Sequence, residues 1–139
     1  MNFKRIISIV LVCLMATMSM TAKVRKSKAP VKITCIGASI TEGAMTANPA
    51  TDSYPAQLGR MLGERYVVSN FGVGGCTMLR KGDCPYWEKE AYQQALASEP
   101  DIVFIDLGGN DSKAVNRVHM DEFVKDACEM IASFQNLPT

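Results

Sequence analysis

The stretch "DIVFIDLGGNDS", residues 101–112, constrains the chain most. Residues 101–109 carry apolar side chains at successive positions, as a strand buried on both faces does, and run directly into Gly-Gly-Asn-Asp. The same change occurs twice earlier. "VKITCIG" (31–37) opens into "ASITEG", and "YVVSNFGV" (66–73) opens into "GGCT". Helical signals separate the three runs. Asp52 or Ser53 is placed to cap "YPAQLGRMLG", with Pro55 in its first turn and Gly63 at its end. A second helix is expected from about Trp87 to Ser98, stopped by Pro100. A third is expected from about Met120 to Phe134, with Phe123, Ala127, Met130, Ile131 and Phe134 on one stripe. Alternating strands and helices predict an α/β fold with a parallel sheet and helices on both faces. Three strands leave a long apolar edge uncovered, and Pro138 after a helix introduces a further element, so the domain is expected to continue past Thr139.

Composition narrows the function classes. The 139 residues are 47% hydrophobic and 21% charged, enough for one globular domain. Fifteen Lys and Arg against fourteen Asp and Glu leave a net charge of +1, which gives no long-range field for nucleic acid or an anionic membrane surface. Lys4 and Arg5, the apolar run from Ile6 to about Met15 and small residues ending at Ala22 read as an export signal. The expected organisation is therefore a signal peptide over 1–22, a short linker over 23–30 and the domain over 31–139, in a protein exported to the periplasm, cell surface or exterior. The apolar run falls short of the roughly 20 residues of a membrane span, so no stable insertion is expected; an uncleaved anchor is the alternative.

Export alters the reading of the cysteines. With Cys13 removed, Cys35, Cys76, Cys84 and Cys128 remain in an oxidising compartment. Cys76 and Cys84 flank a Gly-containing loop that a bridge would clamp, whereas Cys35 and Cys128 read as small core residues. No Cys-x-x-Cys pair and a single His argue against zinc. "GVGG" lacks the third glycine of a dinucleotide site and no phosphate-loop motif is present, so no cofactor is expected.

In open parallel sheets ligands bind outside the carboxyl ends of the strands, which directs attention to three loops: "GASITEG", "GVGGCT" and "GGNDS". Ser39, after Gly37 and Ala38, sits at a tight strand-to-helix turn, where a nucleophile lies near the positive end of a helix; capping of a helix by Ser39 or Thr41 is the plainer alternative. The amides of Ser39 and Gly75 and the side chain of Asn110 are three donors suited to a tetrahedral oxyanion. Taken singly, the other two loops read as ordinary turns.

Together, "GASIT", "NFGVGGCT" and "LGGNDS", in this order at the ends of successive strands, resemble the first three sequence blocks of the SGNH hydrolases, the GDSL-type esterases and lipases. The resemblance spans about Lys32 to Phe134. It implies a flavodoxin-like three-layer α/β/α sandwich, Ser39 as nucleophile, and Gly75 and Asn110 completing the oxyanion hole. Two departures stand out: Ala38 occupies the place where the family has Asp before its serine, and the Asp-x-x-His block that supplies the base is absent. His119, in "NRVH", is a helix-start histidine, with substitution for the base as the alternative. Asp111 is expected to hold its loop rather than act as a base.

The resemblance implies a metal-independent serine esterase that hydrolyses acyl or acetyl esters through an acyl-enzyme, its His and Asp coming from beyond residue 139. Its partner is a small acylated substrate, with a glycan as one candidate class. A lysophospholipase or thioesterase on the same machinery, or a non-catalytic binding module that has kept only the cleft, are the alternatives. Tyr86, Trp87 and Tyr92 read as core aromatics, with a cleft lining as the alternative. Lys81 and Asp83 read as a solvated turn.

Overall fold

The computed structural model describes residues 29–138; the expected signal peptide, Cys13 and most of the linker lie outside them. Three parallel strands form the sheet: β1 (Val31–Gly37), β2 (Tyr66–Gly72) and β3 (Ile102–Asp106). Their order is β2–β1–β3, with β1 paired on both sides. Short helices α1 (Ser39–Glu42) and α2 (Pro49–Asp52) follow β1, and α3 (Tyr54–Leu62) leads into β2. Helix α4 (Glu90–Ala97) precedes β3, and α5 (Phe123–Gln135) closes the described chain.

Register sorts the side chains into two faces. Ile33 and Cys35 of β1 stand beside Val68 and Asn70 of β2 and beside Ile102 and Phe104 of β3. This face meets α3, where Gly59 packs near Val68, and where Tyr54, Leu58 and Met61 form a shallow groove with Phe104. On the opposite face Ile36 joins Phe71, Val103 and Ile105 in the main core, which α4 and α5 fill with Tyr92, Ala95, Phe123, Ala127, Met130 and Phe134. Helices on both faces of a parallel sheet make the α/β/α layering expected from the sequence. Both outer strands are edges among the described residues, and on β3 Ile102 and Phe104 keep 42 and 46% of their surface exposed.

The elements depart from the sequence expectations at their ends. β1 has the expected bounds. β3 stops at Asp106, because Gly108 turns the chain at φ 118°, a conformation that suits glycine. Helix α3 begins after Ser53, but Ser53 makes no side-chain capping bond, and Pro55 occupies its first turn. The expected helix at 87–98 divides into a 3₁₀ turn, Tyr86–Glu88, and α4. The third helix likewise begins only at Phe123, after a 3₁₀ segment, Arg117–Glu122.

Two core expectations need correction on α5. Ile131 stays 45% exposed, at the margin of the stripe whose centre is the buried Met130. Cys128, expected in the core, is exposed; at 100° per residue it points away from Ala127 and Met130 toward solvent. By contrast Cys35, Tyr86 and Tyr92 are buried, and Tyr92 makes edge-to-face contacts with Tyr86, Trp87 and Phe134.

Candidate active site

The turn that presents Ser39 is possible only because the strand ends beneath it lack side chains. Gly37 and Gly72 are register partners at the carboxyl ends of β1 and β2. A Cβ on Gly37 would lie 2.1 Å from Thr41 Oγ1, and one on Gly72 would lie 2.1 Å from the backbone nitrogen of Glu42. Both positions therefore have to be glycine for the α1 turn to sit on the sheet. Ala38 occupies the cap position of α1 and Ser39 is its first residue. Ser39 is thus not a capping side chain. Its amide lies in the first helical turn, whose N–H groups have no intrahelical partner. Since α1 is a single turn, this amide, rather than a long helix dipole, is the donor offered here.

Thr41, the other candidate cap, is inside the turn and fully buried. Its hydroxyl donates to Asp106 Oδ2 (3.1 Å) and lies 3.3 Å from Tyr54 Oη. With the Thr41 proton committed to Asp106, Tyr54 donates to Thr41. Burial pushes the Tyr54 phenol up from its ordinary range, so it keeps that proton at neutral pH. Asp106 in turn accepts at its backbone carbonyl from the Ala38 amide (3.1 Å). The end of β3 is thereby tied to both sides of Ser39.

Ala38, Ser39, Ile40, Asp106, Gly109 and Asn110 enclose one cavity of about 170 Å³. Ser39 and Asn110, predicted from separate loops 71 positions apart, line it together. Gly75 does not line it, but its loop is coupled to Asn110: the Asn110 Nδ2 group donates to the Cys76 carbonyl at 3.0 Å. That amide carries two protons, so one N–H remains for a ligand. Gly75 has φ 80° and open space where a Cβ would stand, so only backbone strain demands glycine there. Asp106 was missed by sequence reasoning. The available signal was an acid closing an otherwise apolar strand.

Behind the cavity, a strap of residues 76–85 is held by buried side chains from the far half of the chain. Asp111, fully buried, accepts from the amides of Met78 (3.0 Å) and Leu79 (2.7 Å). Asp126 accepts from the Arg80 amide (2.8 Å) and Asn116 from the Asp83 amide (2.7 Å). Asp111 therefore anchors the strap, at Met78 and Leu79, 33 and 32 positions away, rather than the loop it belongs to. Trp87 Nε1 donates to the Met78 carbonyl and its ring stacks under the Arg80 guanidinium, 3.5 Å away. The Lys81–Asp83 turn is exposed but not merely solvated. Lys81 pairs with Glu122 at 2.5 Å, and Asp83 receives Asn116 and Lys113 at 2.9 and 3.1 Å.

Cys76 and Cys84 are free thiols with sulfurs 3.5 Å apart. Burial, and then the contact with the Cys84 thiol, pushes the Cys76 thiol up to about 12, so while both thiols are reduced Cys76 keeps its proton at neutral pH. Cys35, raised by burial, is likewise an inert core group. His119 lies in the 3₁₀ segment before α5, its amide bonded to the Asn116 carbonyl, and does not line the Ser39 cavity. Among the described residues no cluster of three or more His, Cys, Asp or Glu is placed to hold a metal ion, and no helix is long and apolar enough to cross a membrane.

Comparison with known proteins agrees with this geometry. A solved crystal structure superposes with a TM-score of 0.61 over 79% of this chain and 57% of that one, at 22% identity, which establishes likeness of fold. An acetylxylan esterase of Xylanibacter ruminicola is 47% identical over 105 residues, 76% of this chain. The chain spans only 22% of that protein's length. Residues 35–138, from the central strand through the last helix and including all three loops, match the GDSL-like Lipase/Acylhydrolase family. With the serine turn, the strand order and the Asn110 loop all in place, the chain belongs to the GDSL-like Lipase/Acylhydrolase family, within the SGNH hydrolases.

Proposed function

We propose that the protein is a serine esterase that hydrolyses acyl esters, acetyl esters foremost, through an acyl-enzyme on Ser39. The observation that carries this reading is the shared cavity: Ser39, at the end of the central strand, and Asn110, at the end of its neighbour, enclose one small space. A carbonyl carbon placed against Ser39 Oγ leaves its oxygen to the amide of Ser39 and the spare N–H of Asn110. The Gly75 amide, on the loop bound to Asn110 through Cys76, is the third donor.

In the reaction Ser39 Oγ attacks the carbonyl and gives its proton to a general base. The tetrahedral oxyanion is held by those donors until the alcohol departs with the proton. Water then repeats the attack on the acyl-serine. No histidine lines the cavity among the described residues, and the chain spans only 22% of the length of its named relative; we assign the base and its orienting carboxylate to residues outside those described.

Short acyl groups are favoured by the size of the cavity and by Ala38 and Gly109 in its wall. The relative named as an acetylxylan esterase supports acetylated carbohydrate as the substrate class, and the basic and apolar N-terminal residues support export. A non-catalytic binding module is the second reading, favoured by the lack of a histidine beside Ser39 among the described residues.

Hydrolysis of p-nitrophenyl acetate by the full-length natural protein, with and without Ser39→Ala, separates the two. A rate lost with the hydroxyl supports the esterase; equal rates, or none in either protein, support the module.

A further inference from the structure

We propose that Cys76 and Cys84 are a reversible disulfide site that locks the strap carrying the oxyanion loop. The geometry comes from the backbone as well as from the sulfurs. Thr77 and Pro85 form a parallel bridge, in which the Thr77 amide donates to the Cys84 carbonyl (2.9 Å) and the Tyr86 amide to the Thr77 carbonyl (3.1 Å). Cys76 and Cys84 each precede one of these partners, so they stand opposite one another on two segments running in the same direction. Neighbouring extended segments lie about 4.8 Å apart, within the Cα separation that a disulfide spans. The sulfurs already touch at 3.5 Å, and closing to a bond of about 2.05 Å needs side-chain rotation rather than movement of the strap.

The remaining contacts explain why this pair, and not another, reacts. Cys76 is fully buried and Cys84 partly exposed, with the positive charge of Lys89 near the Cys84 sulfur. A small-molecule disulfide such as oxidised glutathione therefore meets Cys84 first. The Cys84 sulfur, having lost its proton, attacks one glutathione sulfur; the glutathione bond breaks and one glutathione leaves, taking up a proton. Cys76, losing its proton as it attacks, then displaces the second glutathione from Cys84. Two protein thiols are oxidised and one glutathione disulfide is reduced to two thiols. Cys35 lies in the sheet core and Cys128 on the surface of α5, and neither touches this pair.

The bond has a position that matters. Cys76 follows Gly75 directly, and its carbonyl receives the Asn110 side chain. A link at Cys76 fixes the point where the strap leaves the oxyanion loop. The inference stands on the geometry of the strap and holds whether or not Ser39 is a nucleophile.

The test equilibrates the full 139-residue chain in glutathione buffers from reduced to oxidised, quenches with acid, alkylates after denaturation and reads intact mass and tryptic peptides. Cleavage after Arg80 and Lys81 puts the two cysteines on separate peptides. The expected result is a protein two hydrogens lighter in oxidising buffer, two fewer alkylated thiols and a linked pair of peptides carrying Cys76 and Cys84. The oxidised form should also exchange the amide protons of residues 75–80 several-fold more slowly. Cys84→Ser should leave Cys76 fully alkylated throughout. Alkylation of both cysteines across the series, a persistent glutathione adduct on Cys84, or unchanged amide exchange would overturn the proposal.

Discussion

Asn110 donates its side-chain amide to the carbonyl of Cys76, 34 residues earlier in the chain and next to Gly75. The loop after β3 is thereby fastened to the loop after β2, and the donor proposed for the oxyanion is held in place by its first proton while its second stays free. Asn110→Ala in the full-length protein removes both. Turnover of p-nitrophenyl acetate should fall on the order of 10² to 10³, with KM nearly unchanged. Asn110→Asp, which cannot donate, should be as slow; steady-state kinetics check both.

Asp111 performs the structural half of the same motif. It receives two strap amides in a site with no exposure, and Asp111→Ala would leave both N–H groups buried without partners. Urea unfolding should show a loss of about 3 kcal/mol. Asp111→Asn, with one acceptor oxygen retained, should lose roughly half as much.

These anchors show where sequence reading stops. The strands were legible because each is a run of β-branched and apolar residues bounded by glycine, and Ser39 and Asn110 because they close such runs. The strap was not legible. Its amides are satisfied by Asp111, Asn116 and Asp126, which are 33, 33 and 46 residues from Met78, Asp83 and Arg80, and nothing local marks an acid as buried. Asp126 sits on a helix face where the periodic pattern leads one to expect only apolar neighbours. The 3₁₀ turns before α4 and α5 escaped for a related reason, since their composition differs little from the helices they precede.

Gly72 tests the packing of the serine turn. A methyl group there would meet the Glu42 nitrogen at 2.1 Å, and backbone yields less readily than a side chain. Gly72→Ala should destabilise by about 2–3 kcal/mol and displace Ser39. Gly75→Ala meets no neighbour and should cost only about 1–2 kcal/mol, from its positive φ. Thermal unfolding of the two variants checks the order.

The pH dependence follows from the rim of the strap. Asn116, and then Lys113, hold the Asp83 carboxyl below its ordinary value near 3.8; Lys81 does the same for Glu122, below 4.5. Both groups bind protons more weakly folded than unfolded, so their contribution is fully present above those ordinary values and disappears as pH falls through the lower, folded ones. Urea midpoints should therefore drop between pH 5 and about pH 3. The drop should be shallower in Asp83→Asn, which no longer titrates; an identical slope would remove Asp83 from the account.

The central claim is that Ser39 is the nucleophile, and the most direct measurement is its covalent capture. Full-length protein treated with a fluorophosphonate ester, digested and read by mass spectrometry should carry one phosphonyl group on the peptide containing Ser39. Ser39→Ala should carry none. An unmodified Ser39 peptide from folded full-length protein, or a label on another residue that survives Ser39→Ala, would contradict the account.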